Sequence, residues 1–168
     1  MWMPKKPRNW QRWFIEVLII ACVIFLIRSW QGFDLIEGKA PNIAGTTLQQ
    51  QPFQLKQWQG KPVIIHFFAP WCPVCKLMHD NIIDQSADTQ RLLVAVQTSD
   101  AELEQWLSEH PTDRDLPILR DPTGSWLQSY GGKVLPLTVI VDAKGNITFS
   151  EIGYTTWLGI WLRLAFSD

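Results

Sequence analysis

The sequence lacks the features of several large functional classes. It has three cysteines (Cys22, Cys72 and Cys75) and three histidines in 168 residues. A structural zinc site needs four ligands, but Cys22 lies in an apolar run away from the other two cysteines, and the histidines lack zinc-finger spacing. We therefore expect no metal site. The sequence also has no internal repeat, no Met-rich or His-rich tract, and no fingerprint of a flavin or nicotinamide enzyme, so no organic cofactor is expected.

Positive charge is scarce outside the N-terminus. Residues 1–28 carry five basic side chains against Glu16, and the rest of the chain has 10 basic and 15 acidic side chains. An acidic domain of this kind has no electrostatic footprint for nucleic acid, and we expect no nucleic-acid partner.

A long apolar run follows the basic N-terminus. The segment WFIEVLIIACVIFLI is interrupted only by Glu16. A helix from Trp10 to Trp30 would be about 31 Å long, close to the thickness of a hydrocarbon core, with tryptophans as interfacial anchors. The predicted segments are a basic cytoplasmic tail at 1–12, a transmembrane helix at 13–30, a linker at 31–38 and a globular domain at 39–168. The positive-inside rule places the N-terminus in the cytoplasm and the domain beyond the membrane, which in a bacterium is the periplasm.

Two kinds of processing are alternatives to a single membrane-spanning helix. The segment IIAC, which ends at Cys22, resembles a bacterial lipobox and would place a lipid on that cysteine. A cleaved signal peptide needs small residues at its cleavage site, and RSWQGF after the apolar run offers none. A single-pass inner-membrane helix is the preferred interpretation, and lipidation of Cys22 stays open.

Strand-like and helix-like segments alternate in the second half of the chain. KPVIIHFF and RLLVAVQT are typical of buried strands, and helical spacing follows each of them. Val74, Leu77, Met78 and Ile82 form the expected apolar face of the first helix, and Asp100 is the expected cap of the second. LPILRD, LPLTVIVD and ITFSEIG predict further strands, the last two joined by a DAKGN turn, and TTWLGIWLRLAF predicts a closing helix. This order predicts an α/β fold with a mixed β-sheet flanked by helices.

Cys72 and Cys75 lie where the first strand gives way to its helix. Unpaired backbone N–H groups and the dipole of a helix N-terminus stabilise a thiolate, so Cys72 is the expected nucleophile. Cys75, one turn further and facing inward, is expected to stay a thiol until it attacks, and Pro73 suits the first helical turn. A static disulfide, two core cysteines and half of a metal site are the alternatives. Redox chemistry is preferred because none of them needs Trp71, a buried strand and a helix start around the pair.

Three separated motifs resemble one known family. VIIHFFAPWCPVCK, the later VLPLTVIVDAKGNI and the upstream GKP resemble the thioredoxin superfamily, and more closely its membrane-tethered periplasmic branch of TlpA, ResA and DsbE type. The resemblance runs from about residue 39 to residue 166, and WCPVC in a short tethered chain is most similar to the suppressor-for-copper-sensitivity type. It implies a thioredoxin fold preceded by one N-terminal transmembrane helix.

The resemblance also implies roles for individual residues. Cys72 is the attacking thiolate, and Cys75 is the resolving thiol, so the redox-active disulfide between them replaces any other cofactor. Pro136 matches a cis-proline that faces the pair, with the backbone of Leu135 placed to bind a substrate strand. Trp71 is expected to cover the pair and contact the substrate.

One position departs from the family pattern. His66 stands six residues before Cys72, where thioredoxin has a buried acid that helps to move a proton. A histidine there could relay protons, although a hydrogen-bonded core residue is the alternative. Lys76 and His79 are expected on a solvated helix face.

The expected activity is that of a periplasmic thiol-disulfide oxidoreductase, and the family resemblance favours the reduction of disulfides in substrate proteins. The resemblance also implies that a membrane thiol electron donor of DsbD or ScsB type reduces the oxidised pair again. The alternative is a non-catalytic module that binds a client or copper(I), since soft thiolates suit that ion. A peroxidase is disfavoured, because its cysteine would not need a partner two residues away.

Overall fold

The computed structural model describes residues 10–32, 35–86 and 89–167, and the side chains of 11, 12 and 24–32 also lie outside the described part. The chain divides into two compact units, residues 1–33 and 34–168.

The described residues of the first unit form helix α1 (Trp10–Gly32), of 23 residues. Among the described residues, none of the helices has the length and apolar character needed to cross a membrane. The span predicted at 13–30 includes residues 24–30, whose side chains lie outside the described residues. The tail predicted at 1–12 lies mostly outside them as well.

The second unit is built from eight strands and four further α-helices. The strands are β1 (Gly38–Lys39), β2 (Ala44–Thr46), β3 (Pro52–Gln54), β4 (Val63–Phe68), β5 (Gln90–Val96), β6 (Ile118–Asp121), β7 (Leu137–Val141) and β8 (Asn146–Ile152). The helices are α2 (Pro73–Ile83), α3 (Asp100–Glu109), α4 (Ser125–Ser129) and α5 (Trp157–Ala165), with short 3-10 helices at Leu55–Trp58 and Pro111–Asp115. The strand and helix segments expected from the sequence are present in the expected order.

Six strands form one mixed sheet in the order β1-β8-β7-β4-β5-β6, while β2 and β3 pair separately. Strands β4, β5 and β6 are parallel, and β7 runs antiparallel to β4. The register pairs Phe67 with Leu137, so the end of β4 lies beside the start of β7. This pairing brings the cysteine turn after β4 close to the segment that precedes β7.

Two hydrophobic cores lie against the two faces of the sheet, one on each face. Alternation along β4 directs Val63, Ile65 and Phe67 into a core that also contains Tyr130. The opposite core contains Ile64 and Phe68 together with Cys72, Cys75 and residues of α2, α3 and α5. His66 shares the second face by the same alternation, and so does Thr138 on β7, its cross-strand partner.

Candidate active site

Helix α2 begins at the cysteine pair. Cys72 is its N-cap, with extended backbone angles (φ −87°, ψ 112°), and Pro73 occupies the first turn, where a missing N–H costs nothing. The Sγ atom of Cys72 accepts a hydrogen bond from the backbone N–H of Cys75 at 3.3 Å. Cys72 thus lies at the N-terminus of a helix, the position expected from the sequence.

The two thiols differ in their surroundings. Both are free and buried, Cys72 with 5% of its surface exposed and Cys75 with 1%. Burial, followed by a hydrogen bond with the Cys72 side chain, raises the pKa of the Cys75 thiol. Cys75 is therefore protonated near neutral pH and must lose a proton before it can attack.

Leu135 and Pro136 lie next to the pair for a topological reason. They come directly before β7, whose first residue pairs with the penultimate residue of β4. The Leu135–Pro136 peptide bond is cis, as the resemblance implied. Pro136 is buried and its carbonyl accepts the N–H of Gly153 at 2.8 Å, while Leu135 is half-buried.

Trp71 stands at the surface beside the pair. Its side chain is 54% exposed, and its indole N–H donates to the carbonyl of Gln97 at 3.4 Å. It lines an open groove of about 200 Å³ whose wall also includes Lys76 and Glu102. Gln97 lines a second groove of about 600 Å³ that reaches Lys133, just before the cis-proline.

His66 lies in the core beneath these residues. It is 1% exposed, and its Nδ1 atom is 3.1 Å from the hydroxyl of Thr138. Burial lowers its pKa to about 3, with a smaller contribution from the charge of His79 in the same direction and an opposing one from Asp113. His66 is therefore neutral near pH 7, which favours the core alternative over a proton relay.

The position of His79 differs from the expectation. Lys76 is exposed as predicted, with its ammonium 3.7 Å from Glu109, but His79 is buried. Its Nε2 atom is 3.1 Å from Asp113 Oδ1, and Asp113 is fully buried. Cys75, Met78, His79 and Ile82 form the buried face of α2, a choice that the spacing of its apolar residues does not reveal.

The apolar face predicted for α2 was partly wrong for the same reason. Met78 and Ile82 are buried as expected, but Leu77 is 75% and Val74 37% exposed. Cys75 and His79 are buried in their place, and Asp113 supplies a polar partner for His79 inside the core.

Family comparison agrees with this geometry. A family model described as Redoxin matches residues 36–157. The chain belongs to the redoxin family. It is similar to the thiol-disulfide oxidoreductase ResA of Bacillus thuringiensis subsp. konkukian, with 22% identity over 79% of this chain and 82% of the relative. It is also similar to the thiol:disulfide interchange protein DsbE of Pasteurella multocida, with 27% identity over 82% of this chain and 81% of the relative.

A solved structure shows the same fold. The thiol:disulfide interchange protein of Chlorobium tepidum TLS, a thioredoxin family protein, matches with a TM-score of 0.66 and 22% identity, over 80% of this chain and 98% of that structure. The thioredoxin fold predicted for the domain is thus confirmed. The ResA and DsbE relatives show in addition that this redoxin is related to thiol-disulfide oxidoreductases.

The part of the chain that the structure describes contains no cluster of side chains suited to a metal ion. Among residues 10–32, 35–86 and 89–167, no three His, Cys, Asp or Glu side chains form a group that could hold a metal ion.

Proposed function

We propose that the chain is a membrane-tethered thiol-disulfide oxidoreductase of the bacterial periplasm that reduces disulfides in substrate proteins. Cys72 attacks a substrate disulfide, and one substrate sulfur leaves as a thiolate. Cys75 then attacks Cys72 in the mixed disulfide and releases the second thiolate. The Cys72–Cys75 disulfide is left oxidised, and the substrate has gained two electrons.

The N-cap geometry of Cys72 carries this proposal. Its sulfur accepts the N–H of Cys75 at 3.3 Å, so the helix terminus already stabilises charge on the atom that attacks. Cys75 is buried three residues further along the helix, and burial raises the pKa of its thiol. A static disulfide would not need this cap on Cys72.

Substrate binding is assigned to Trp71, Leu135 and Pro136. The half-buried Leu135 lies two residues before β7, where an extended peptide can add backbone hydrogen bonds beside Cys72. The exposed indole of Trp71 offers an apolar surface next to the groove that it lines. These features suit an unfolded or extended segment around a disulfide.

Catalytic turnover needs a source of electrons. The oxidised pair would be reduced by a membrane thiol donor of DsbD or ScsB type, and the direction of exchange is set by the reduction potential of the pair. The relatives reported above are of ResA and DsbE type, so the narrower resemblance to copper-sensitivity proteins stays a prediction.

The reduction potential tests the direction. The full chain, in mild detergent and with Cys22 replaced by Ala, is equilibrated with glutathione buffers, and the oxidised fraction is followed by tryptophan fluorescence. We expect a value more negative than about −150 mV; a less negative value, near that of strong oxidants, would contradict the assignment as a reductase.

Membrane tethering is supported by the basic N-terminus and the apolar run in α1. We expect the full chain to stay in the membrane pellet after an alkaline carbonate wash, and its domain to be cleaved by protease added to spheroplasts. The Cys22→Ala variant should behave identically if the helix, and not a lipid, provides the anchor. Release of the unmodified chain into the supernatant would contradict the tether.

A further inference from the structure

A buried polar cluster lies beneath α2, outside the residues assigned above. Its centre is His79, whose Nε2 atom is 3.1 Å from Asp113 Oδ1, with side-chain exposures of 5% and 0%. The indole N–H of Trp106 donates to the other carboxylate oxygen of Asp113 at 2.8 Å. A carboxylate and an imidazole rarely occupy a core together unless they are paired, and here Trp106 fixes the orientation of the acid.

The cluster lies one helical turn from Cys75. Cys75 and His79 are four residues apart on the buried face of α2, a spacing that places Cβ atoms about 5–6 Å apart. Long side chains in a helix generally point back toward its N-terminus, a tendency that favours an approach of the His79 ring to the turn that carries Cys75. Cys75 and Trp106 also belong to the same core, which places the imidazole and the resolving thiol in one water-poor compartment.

Cys75 needs a proton acceptor in this compartment. Its thiol is 1% exposed, so bulk water does not reach it directly. His66, on the facing strand, is occupied through Nδ1 by the hydroxyl of Thr138. Its lowered pKa of about 3 makes it a weak base.

We propose that the His79–Asp113 pair accepts the Cys75 proton during the resolving step; this inference rests on the proposed function. The proton leaves Cys75 Sγ and ends on the imidazole of His79, and the imidazolium is paired with the Asp113 carboxylate. The sulfur of Cys75 forms a bond with Cys72 Sγ as the bond from Cys72 to the substrate sulfur breaks. The electron pair of that broken bond leaves with the substrate thiolate, so charge and electrons balance.

His110 gives this proton a way out. Its ring is 4.4 Å from that of His79 between centroids, and the residue is half-buried at the end of α3. Titratable groups surround His79 on several elements: Cys75 on α2, His66 on β4, His110 after α3 and Asp113 in the 3-10 helix. On α5, which packs against α2, the guanidinium of Arg163 lies 3.5 Å from Glu151.

The two steps can be timed separately with the aromatic disulfide DTNB. All proteins are full chains in mild detergent with Cys22→Ala, because Cys22 is an exposed third thiol. Attack by Cys72 releases one thionitrobenzoate, and attack by Cys75 on the mixed disulfide releases a second, so two absorbance phases report the two cysteines. The test variants are His79→Gln and Asp113→Asn. Asp115→Asn, an exposed acid in the same 3-10 helix, is the matched control.

We expect His79→Gln and Asp113→Asn to slow the second phase at pH 7 by at least tenfold, within the range of general base catalysis. The first phase should stay within about twofold of the parent, and the control should change neither phase. In His79→Gln the second rate should rise about tenfold per pH unit into the alkaline range, because hydroxide must then remove the proton. Trp106→Phe, which keeps the ring but not the N–H donor, should slow the second phase by a smaller factor.

Two results would overturn the proposal. One is an unchanged second phase in both variants; the other is equal slowing of both phases, which indicates a merely structural role. If the variants fail to fold, the parent protein supplies the test. An internal base would be contradicted if the second phase shows no solvent deuterium isotope effect and its rate rises tenfold per pH unit from pH 6 to pH 9. A parent protein with no second phase at all would instead refute the proposed function.

Discussion

Acidification should destabilise the domain through His66. This imidazole is fully buried against Thr138, and burial lowers its pKa from 6.5 to about 3. Above pH 6.5 neither the folded nor the unfolded state holds a proton on it, so its contribution to stability is complete. As the pH falls below 6.5 the unfolded state binds a proton that the folded core rejects, and stability is lost until the pH approaches 3.

The size of the effect follows from proton linkage. A pKa difference of one unit between the folded and unfolded states corresponds to about 1.4 kcal/mol. His66 alone should therefore lower the free energy of unfolding by about 2 kcal/mol between pH 7 and pH 5. This window lies well above the folded-state pKa, so the folded state binds no proton there, and the slope grows toward that of one whole proton as the pH falls below 6.5.

Urea unfolding of the full chain at pH 7 and pH 5, followed by far-UV circular dichroism, measures this loss. The variant His66→Gln should be less stable than the parent at pH 7 but should lose about 2 kcal/mol less on acidification. The isosteric control Thr138→Val removes the hydroxyl partner, costs about 1–3 kcal/mol at both pH values and keeps the slope. Equal pH dependence in the parent and His66→Gln would refute the reasoning.

Three further substitutions test contacts that position the site. Tyr130→Phe removes a buried hydroxyl that donates to the carbonyl of Pro41 at 2.7 Å and should cost about 0.5–1.5 kcal/mol in urea unfolding. Gly132→Ala would place a Cβ atom 2.8 Å or less from two leucine side chains, with Leu127 the nearer at 2.4 Å, and should cost about 1–3 kcal/mol, seen as a lower Tm. Ser99→Ala removes the side-chain cap of α3 and should cost about 1 kcal/mol; a loss below 0.2 kcal/mol would refute the cap.

Much of the fold could be predicted because local and global signals agree. Strand β4 is buried on both faces of the sheet, which is why its residues other than His66 are apolar. The cysteine turn follows it directly, and both are local features that sequence patterns capture. The pairing that brings the start of β7 beside them is long-range and was expected from the family resemblance.

The predicted cap of α3 was wrong by one residue. Ser99, and not Asp100, is the N-cap, and its capping box with Glu102 satisfies two backbone N–H groups. Asp100 begins the helix and pairs with Arg120 instead. Both residue types cap helices, and only the reciprocal bond from Glu102, three residues after Ser99, distinguishes them.

The burial of His79 could not be predicted from local pattern. A histidine next to charged residues on a helix usually lies in solvent, and the face of α2 depends on its partner across the core. That partner, Asp113, is 34 residues further along the chain and arrives through the 3-10 helix after α3. Polar pairs of this kind depend on tertiary contact, which periodicity does not report.

Mixed-disulfide trapping tests the central claim most directly, namely that Cys72 attacks and Cys75 resolves. Full chains carrying Cys22→Ala with either Cys75→Ala or Cys72→Ala are mixed with a disulfide-bonded protein substrate, and covalent adducts are counted by intact-protein mass spectrometry. We predict a stable one-to-one adduct through Cys72 in the Cys75→Ala chain and none in the Cys72→Ala chain. Equal adduct formation by both chains, or reversible binding with no covalent adduct in either, would contradict the account and favour a binding module.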